Sequence, residues 1–366
     1  MKKILFIAAD GFSKTGVPAV FMNIVRELKK YNFSFDIIYF DKSKNFYLKE
    51  FEEQGKAFYF GIKSNNYFIK KISRYVCGGY YYRKTLKVIK NNGPYLAIHS
   101  FLEYRGSYFL KAASKAGLPL RIYHSNNILN ITGNIINKLL MKKEKKMCLK
   151  YMTKLIGCSE QSIYSAFQNS FPSCVINNAY NEKEYYPSLS QNKINKIALA
   201  QTGTFCDRKN QLFSLLILSE IKKRGFDCSL NFVGYNKGEY FEKVKKMVED
   251  LNLKDFVCFN KFDSNQREIF SKCRYFLMPS KREAFGISAI EAQACGLKVF
   301  ASNNLPASIE CGGCKFLDLD IGAKKWAESI INDFVCCDKS PIIFDCSKYK
   351  NENIIPLYLS LYEKKV

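Results

Sequence analysis

At 366 residues, 47% of them hydrophobic, the chain is too long for one typical core and too apolar for a disordered protein. No apolar run approaches the length of a membrane span, which excludes a helical membrane protein. The net charge of +24 is uneven: residues 1–180 hold 29 Lys and Arg against 10 Asp and Glu (+19), the rest 28 against 23 (+5). A charge localised in this way suits an anionic partner, whether nucleic acid, phospholipid headgroups or a phosphorylated substrate.

The start, MKKILFIAAD, mimics a secretory leader, but Asp10 interrupts its short apolar part and no small-residue cleavage site follows. It reads as a first strand. Strand-like runs then alternate with helix-length ones: KKILFIA, FDIIYF, AFYFGI, YLAIHS, LRIYHS, KLIGCS and SCVINNA, with helical stretches at Ala19–Tyr31, Tyr108–Ala116 and Asn134–Tyr151. The rhythm pauses in NEKEYYPSLSQNKIN and restarts with NKIALAQTG, CSLNFVGY, FVCFNKF, YFLMPS, LKVFAS and CKFLDL. This is the pattern of two doubly wound, parallel-sheet α/β domains in series, hinged near residues 180–195. Ligands of such sheets bind at strand carboxyl ends, so residues just after strands carry the functional weight.

The fourteen cysteines are scattered, many within strand-like runs, and read as reduced, buried thiols of a cytoplasmic protein. One CxxC, Cys311 to Cys314, has no second CxxC and lies far from both histidines, so it reads as neither zinc nor redox site.

After the first strand, ADGFSKTGVPAV lacks the GxGxxG fingerprint of dinucleotide binding. Gly16 either lets backbone approach a phosphate or an acceptor, or makes a plain strand-to-helix turn; the sequence leaves both open. The two histidines, His99 and His124, both end strands. His124 precedes the polar trio Ser125, Asn126 and Asn127, a costly cluster to bury without purpose, and reads as a site residue. His99 reads as core. In ALAQTGTFCDRKNQ, Arg208 and Lys209 sit on the first loop of the second domain, where cations suit a phosphate-rich ligand or are merely solvated.

The most informative stretch is SKREAFGISAIEAQACG, residues 280–296. Ser288 and Glu291 read as a capping box, with Gly296 as the C′ glycine. That does not account for Glu283, in the loop, or for the Phe285–Gly286 step. Gly286 would leave the amides of Ile287 and Ser288 open at a helix N-terminus, an anion site, and flanking carboxylates suit sugar and ribose hydroxyls.

These motifs together resemble the retaining GT-B glycosyltransferases of family 4, especially those building bacterial capsule, exopolysaccharide or lipopolysaccharide. Glu283-AFGISAI-Glu291 resembles their E-x7-E motif, LNFVGYNKGEY their strand-Gly-x-Gly segment, KKMVEDLNLKDFVCFNKF their helix–turn–strand, and INNAYNEKEYYP their interdomain crossover. The resemblance implies a GT-B fold: residues 1–182 an acceptor-binding Rossmann-like domain, 183–350 a nucleotide-sugar-binding one across a cleft, and a terminal helix in 351–366 returning to the first. It implies transfer of a hexose from a nucleotide diphosphate sugar, taken as a UDP-sugar, to a saccharide or lipid-linked saccharide, without metal or other cofactor. His124, Lys209 and Glu283 would be catalytic. Gly16, Thr204, Arg208, Phe285, Gly286, Ile287, Ser288 and Glu291 would bind substrate, with Glu291 on the ribose, Glu283 on the sugar, and the Ile287 and Ser288 amides on the diphosphate. Three positions depart from the family pattern: Thr204 replaces an arginine, Thr15-Gly16 a double glycine, and Asn178-Ala179 an Asn-Gly.

Lysines interleave with apolar residues in 67–90 and 138–151, which suits either an anionic membrane surface or two solvated basic helices. The expected location is cytoplasmic, with peripheral membrane attachment if those helices dock. Two other readings remain: a sugar-nucleotide-binding relative without transfer activity, favoured by Thr204, and a nucleic-acid binder, for which the chain has charge but no reader motif.

Overall fold

The computed structural model describes residues 2–8, 11–13, 16–43, 45–61, 78–129, 135–187, 194–234, 237–262, 264–336 and 343–363. All thirteen runs read as strands from the sequence form strands, in two sheets. The chain divides into two units, Met1–Asn178 with Glu352–Val366, and Ala179–Asn351.

The first unit contains β1 (Lys2–Ile7), α1 (Val17–Lys29), β2 (Phe33–Tyr39), α2 (Leu48–Glu52), β3 (Ala57–Tyr59), α3 (Gly78–Asn92) and β4 (Ala97–Ser100). It continues with α4 (Ser107–Lys115), β5 (Leu120–Ser125), α5 (Ile135–Tyr151), β6 (Lys154–Gly157), α6 (Glu160–Phe167) and β7 (Ser173–Val175). The strands pair in parallel in the order β3-β2-β1-β4-β5-β6-β7, with Ile4 beside Phe35 on one flank and Ala97 on the other. Parallel neighbours need crossovers, which the helices supply, so central strands are covered on both faces and need no polar alternation. All four residues of β4 are accordingly buried. Pro18 lies in the first turn of α1, its ring pre-set for a helix start, and the helix begins at Val17, two residues before the sequence reading. Of the basic stretch 67–90, only residues 78–90 fall among those described, in α3. No helix of the described residues is long and apolar enough to cross a membrane.

The second unit contains β8 (Ile197–Thr202), α7 (Gln211–Lys223), β9 (Cys228–Gly234), α8 (Glu239–Asp250), β10 (Val257–Lys261) and α9 (Gln266–Ser271). Then follow β11 (Tyr275–Met278), α10 (Ile287–Ala294), β12 (Lys298–Ser302), β13 (Cys314–Leu317) and α11 (Gly322–Cys336). The parallel order is β10-β9-β8-β11-β12-β13. The direction of winding reverses between β8 and β11, the switch point where open α/β sheets open a crevice at their carboxyl ends. The loops after these two strands, residues 203–210 and 279–286, leave the sheet there. Last in the chain, α12 (Asn351–Glu363) joins the first unit from Glu352 onward, burying Tyr358 and Tyr362 and setting the Tyr362 ring 5.7 Å from that of Phe33.

The core of the second unit gathers around Trp326, fully buried, its indole N–H donating to the Asp318 carbonyl at 2.8 Å and its ring edge-on to Phe213. It is the one tryptophan of the chain, so its emission follows this unit. Leu215, also fully buried in that core, is expected to cost about 2–5 kcal/mol on Leu215→Ala, the range for emptying such a site. Urea titration followed by tryptophan emission checks this; an unchanged midpoint would place Leu215 outside the cooperative core.

Candidate functional site

The loop after β8 is held by side chains. The Gln201 amide N–H donates to the Lys209 carbonyl at 2.8 Å, while its oxygen accepts from the Ser214 hydroxyl at 2.7 Å. Gln211 spans the loop, donating to the Thr204 carbonyl and accepting from the Cys206 amide. Gly203 turns at φ 135, and a Cβ there would stand 3.0 Å from Lys209 Cε, so glycine makes room for the lysine stem. A single 3-10 turn, Asp207–Lys209, then presents the two cations, and Asn210 enters the left-handed region to start α7. Thr204 is exposed on this loop.

The loop after β11 is tied to the first. The Lys281 amide donates to the Arg208 carbonyl at 2.8 Å, Asn210 donates to the Pro279 carbonyl at 3.1 Å, and Lys281 pairs with Asp207. This apposition brings the nearly buried Glu283 to both cations: Lys209 Nζ lies 2.7 Å from one carboxylate oxygen and an Arg208 guanidinium nitrogen 2.7 Å from the other. Burial pushes the Glu283 pKa up, but the charges of Lys209 and then Arg208 outweigh it and hold the carboxyl below its ordinary 4.5. Glu283 is therefore ionised at neutral pH. Arg208, read from the sequence as a cation for a phosphate-rich ligand or as a solvated loop charge, is engaged by Glu283.

The structure corrects the capping box. Helix α10 starts at Ile287, with Gly286 as its N-cap at φ 94 and no side-chain cap, so Ser288 is the second helical residue and Glu291 lies a turn further in. Glycine takes the left-handed conformation at little cost, which moves the N-cap two residues ahead of the serine. A Cβ on Gly286 would also press on Met278 and Ile309, at 3.2 and 3.3 Å. The first amides, Ile287 and Ser288, have no acceptor within the helix and face outward at its positive end. Gly296, at φ 87 just past the helix, fits the C′ position read for it. Phe285 is buried and stacks edge-on against Tyr349, so its ring is packing, and only its backbone remains for a ligand.

Glu291 is partly exposed, yet burial, reinforced by the charge of Glu184 and opposed by that of Lys209, pushes its pKa up to about 8. It is mostly protonated at neutral pH. Glu184, exposed and accepting from Asn181 at 2.7 Å, had no signal in its polar stretch of sequence.

In the first unit, Gly16 sits at φ 58 as the N-cap of α1, exposed and with open space where a Cβ would stand. His124 is buried at the end of β5. The sequence reading set His99 aside as core; it is fully buried, but its Nε2 meets His124 Nδ1 at 3.1 Å and its Nδ1 meets the Tyr362 hydroxyl at 2.6 Å. Tyr362, 263 residues away, was not legible as part of this group.

Residues 188–310, within the second unit, match the family model of the glycosyl transferases group 1. EpsF of Bacillus subtilis (strain 168), provisionally named a glycosyltransferase, is 23% identical over 347 residues, covering 90% of this chain and 87% of that protein. The structure of Anabaena Alr3699/HepE in complex with UDP and glucose superposes with a TM-score of 0.76 at 16% identity, covering 98% of this chain and 99% of that one. The lipopolysaccharide outer core galactosyltransferase WaaB superposes at 0.69 with 14% identity over the whole of both chains. The fold is GT-B in type, two Rossmann-like parallel-sheet units.

Glu291 makes stability depend on pH. Its folded pKa of about 8 exceeds the ordinary 4.5, so the folded chain holds a proton that the unfolded chain gives up across that window. Stability then falls as pH rises through the window, and the loss is complete above pH 8. Glu291→Gln cannot ionise. Its melting temperature, relative to wild type, is expected to climb between pH 5 and pH 9 in scanning calorimetry; a difference independent of pH would mean that Glu291 is ionised in the native state.

Proposed function

We propose that the protein is a retaining glycosyltransferase that moves a hexose from a UDP-sugar to a hydroxyl of a saccharide or lipid-linked saccharide in bacterial surface polysaccharide synthesis. The observation that carries this reading is the Arg208–Glu283–Lys209 arrangement beside the open N-terminus of α10, at the switch point of the second sheet. The uridine-diphosphate complex of the Anabaena protein and the polysaccharide role in the WaaB name support donor and pathway class.

In this reading the amides of Ile287 and Ser288 take the diphosphate, and Lys209 and Arg208 meet the charge that grows on it as the sugar leaves. Protein cations and a helix terminus supply the counter-charge, so the reaction needs no metal. Glu283, ionised and held on both sides, accepts from sugar hydroxyls. Glu291, neutral, both donates and accepts, which suits a ribose without repelling the diphosphate nearby. Thr204 offers a hydroxyl to the donor, Phe285 and Gly286 their backbone. The acceptor hydroxyl oxygen attacks the anomeric carbon from the face the diphosphate leaves and gives its proton to the departing diphosphate oxygen, giving retention. The first unit takes the acceptor, with Gly16 allowing close backbone approach and His124 as a polar contact.

A second reading has one observation in its favour: Thr204 stands where the family pattern has a cation, and Arg208 is spent on Glu283, which describes a protein that binds the donor without transferring it. One experiment separates the two. UDP should raise the melting temperature of the wild type and of Glu283→Ala alike, while Glu283→Ala loses sugar transfer and donor hydrolysis by about a hundredfold or more. Wild-type turnover in the variant would remove Glu283 from the chemistry, and UDP binding with no turnover in the wild type would favour the second reading.

The protein would work at the cytoplasmic face of the membrane. Helix α5 leaves Ile135, Ile136 and Leu139 exposed, at 74%, 62% and 61%, beside the exposed Lys138, Lys142 and Lys143. An apolar tip backed by lysines suits an anionic bilayer. Sedimentation with phosphatidylglycerol vesicles at low salt should capture the protein, and the triple change Ile135→Ser, Ile136→Ser, Leu139→Ser should release it. Equal sedimentation with neutral phosphatidylcholine vesicles, or none with either, would reject attachment by this face.

A further inference from the structure

The two histidines and Tyr362 form one buried chain within the first unit. The Tyr362 hydroxyl meets His99 Nδ1 at 2.6 Å, His99 Nε2 meets His124 Nδ1 at 3.1 Å, and His124 Nε2 has no partner among the described residues. Aromatic rings enclose it: Phe101 stacks on His99 with centroids 4.6 Å apart and lies 4.9 Å from His124, and Phe6 meets His99 edge-on. His99 is fully buried and His124 1% exposed. In such surroundings neither imidazole gains a proton readily; burial holds the His99 pKa well below 6.5, helped by His124, and lowers that of His124 to about 3. Both rings are neutral, so each carries one N–H, and the question is which nitrogen holds it.

Hydrogen-bond accounting answers it. Among the described residues His99 is the one hydrogen-bond partner of the Tyr362 hydroxyl. If that hydroxyl donates to His99 Nδ1, His99 carries its proton on Nε2 and donates to His124 Nδ1, and His124 must carry its own proton on Nε2. One buried group is then left over, the His124 Nε2–H. If the chain ran the other way, the Tyr362 O–H and the bare His124 Nε2 would both be left buried without partners. Each unmet group costs, so the first direction wins.

We infer that Tyr362 and His99 are positioning residues that lock His124 as the neutral Nε2–H tautomer, reserving that N–H as a hydrogen-bond donor for an oxygen of the acceptor saccharide. Neighbouring observations agree. Both side-chain atoms of Asn126, two residues on, are likewise buried and unpartnered, so the carboxyl end of β5 holds a set of unused polar groups rather than one. A hydroxyl-rich ligand would satisfy all of them. The saccharide in this assignment rests on the transfer reading above; the tautomer does not. It also gives the terminal helix a task beyond packing, since the group that sets the direction of the chain comes from α12.

With only two histidines in the chain, nitrogen-15 histidine labelling and long-range proton–nitrogen correlation give two ring spectra without ambiguity. At pH 7 the wild type should show both rings neutral and protonated at Nε2. A His124 ring protonated at Nδ1, or an imidazolium, would overturn the inference. Tyr362→Phe removes one oxygen atom from the chain; its His124 spectrum should shift toward the Nδ1–H form. In the same variant kcat should fall about tenfold, with KM for the UDP-sugar unchanged. If the variant keeps the wild-type tautomer, Tyr362 does not set it and the inference fails. If the wild type shows the tautomer but catalyses no transfer, the positioning chain stands and the transferase reading falls.

Discussion

The Glu283 carboxylate, within 2.7 Å of a cation on either side, is the constraint on which the candidate site of the second unit depends. A nearly buried carboxylate is tolerable only if paired, and removing one partner from such a pair costs about 3–5 kcal/mol because the other charge is left stranded. The pairing therefore fixes the loop after β11 against the loop after β8. Backbone bonds alone do not do this: among the described residues the two main chains meet through the Lys281 amide and the Arg208 carbonyl. Once the loops are fixed, the first amides of α10 are fixed too, because Gly286 follows Glu283 by three residues. On the proposed reading the same pairing leaves Lys209 poised: a diphosphate would share its ammonium with Glu283 without moving the lysine stem that Gly203 accommodates.

The frame was legible in the sequence for a simple reason. Strands such as Tyr275–Met278 are buried along their whole length, so they appear as unbroken apolar runs between polar loops, and parallel sheets require the long helical crossovers seen between them. Glu283 was legible because a carboxylate in a loop before a glycine has no structural excuse. The capping box was misread because the motif S-x-x-E is satisfied by residue type alone, whereas the start of α10 is decided by backbone conformation at Gly286. Glu184 could not be found, since its influence on Glu291 comes from the fold and its segment is uniformly polar. His99 is the instructive case. Its reading as a buried core histidine matched its burial and still missed its partner, because the contact spans 263 residues and no local pattern encodes it.

The two carboxylates of the Glu283–Glu291 segment also show how the same side chain is set to opposite states by its surroundings. Both are pushed toward the neutral form by burial. Glu283 has two cations in contact and stays charged; Glu291 has Lys209 only at longer range and Glu184 opposing it, and keeps its proton. In the proposed donor site a pair of ionised carboxylates would repel a diphosphate between them. One charged and already neutralised, the other uncharged, they present hydrogen-bonding capacity with little net negative field.

The first unit solves a related problem without charge. Its histidines lie in an aromatic enclosure where an imidazolium would be costly, so their chemistry is restricted to neutral hydrogen bonding. Such a bond has a direction, and direction in a buried chain is set by its least adaptable end. A tyrosine hydroxyl with a single partner is such an end, because burying its proton unmet is the costliest alternative. The lysines that give this unit its excess of positive charge are then left to its surface, as on α5, where solvent meets them. Charge on the outside and fixed neutral polarity within are separate devices, and a substitution that alters one leaves the other in place.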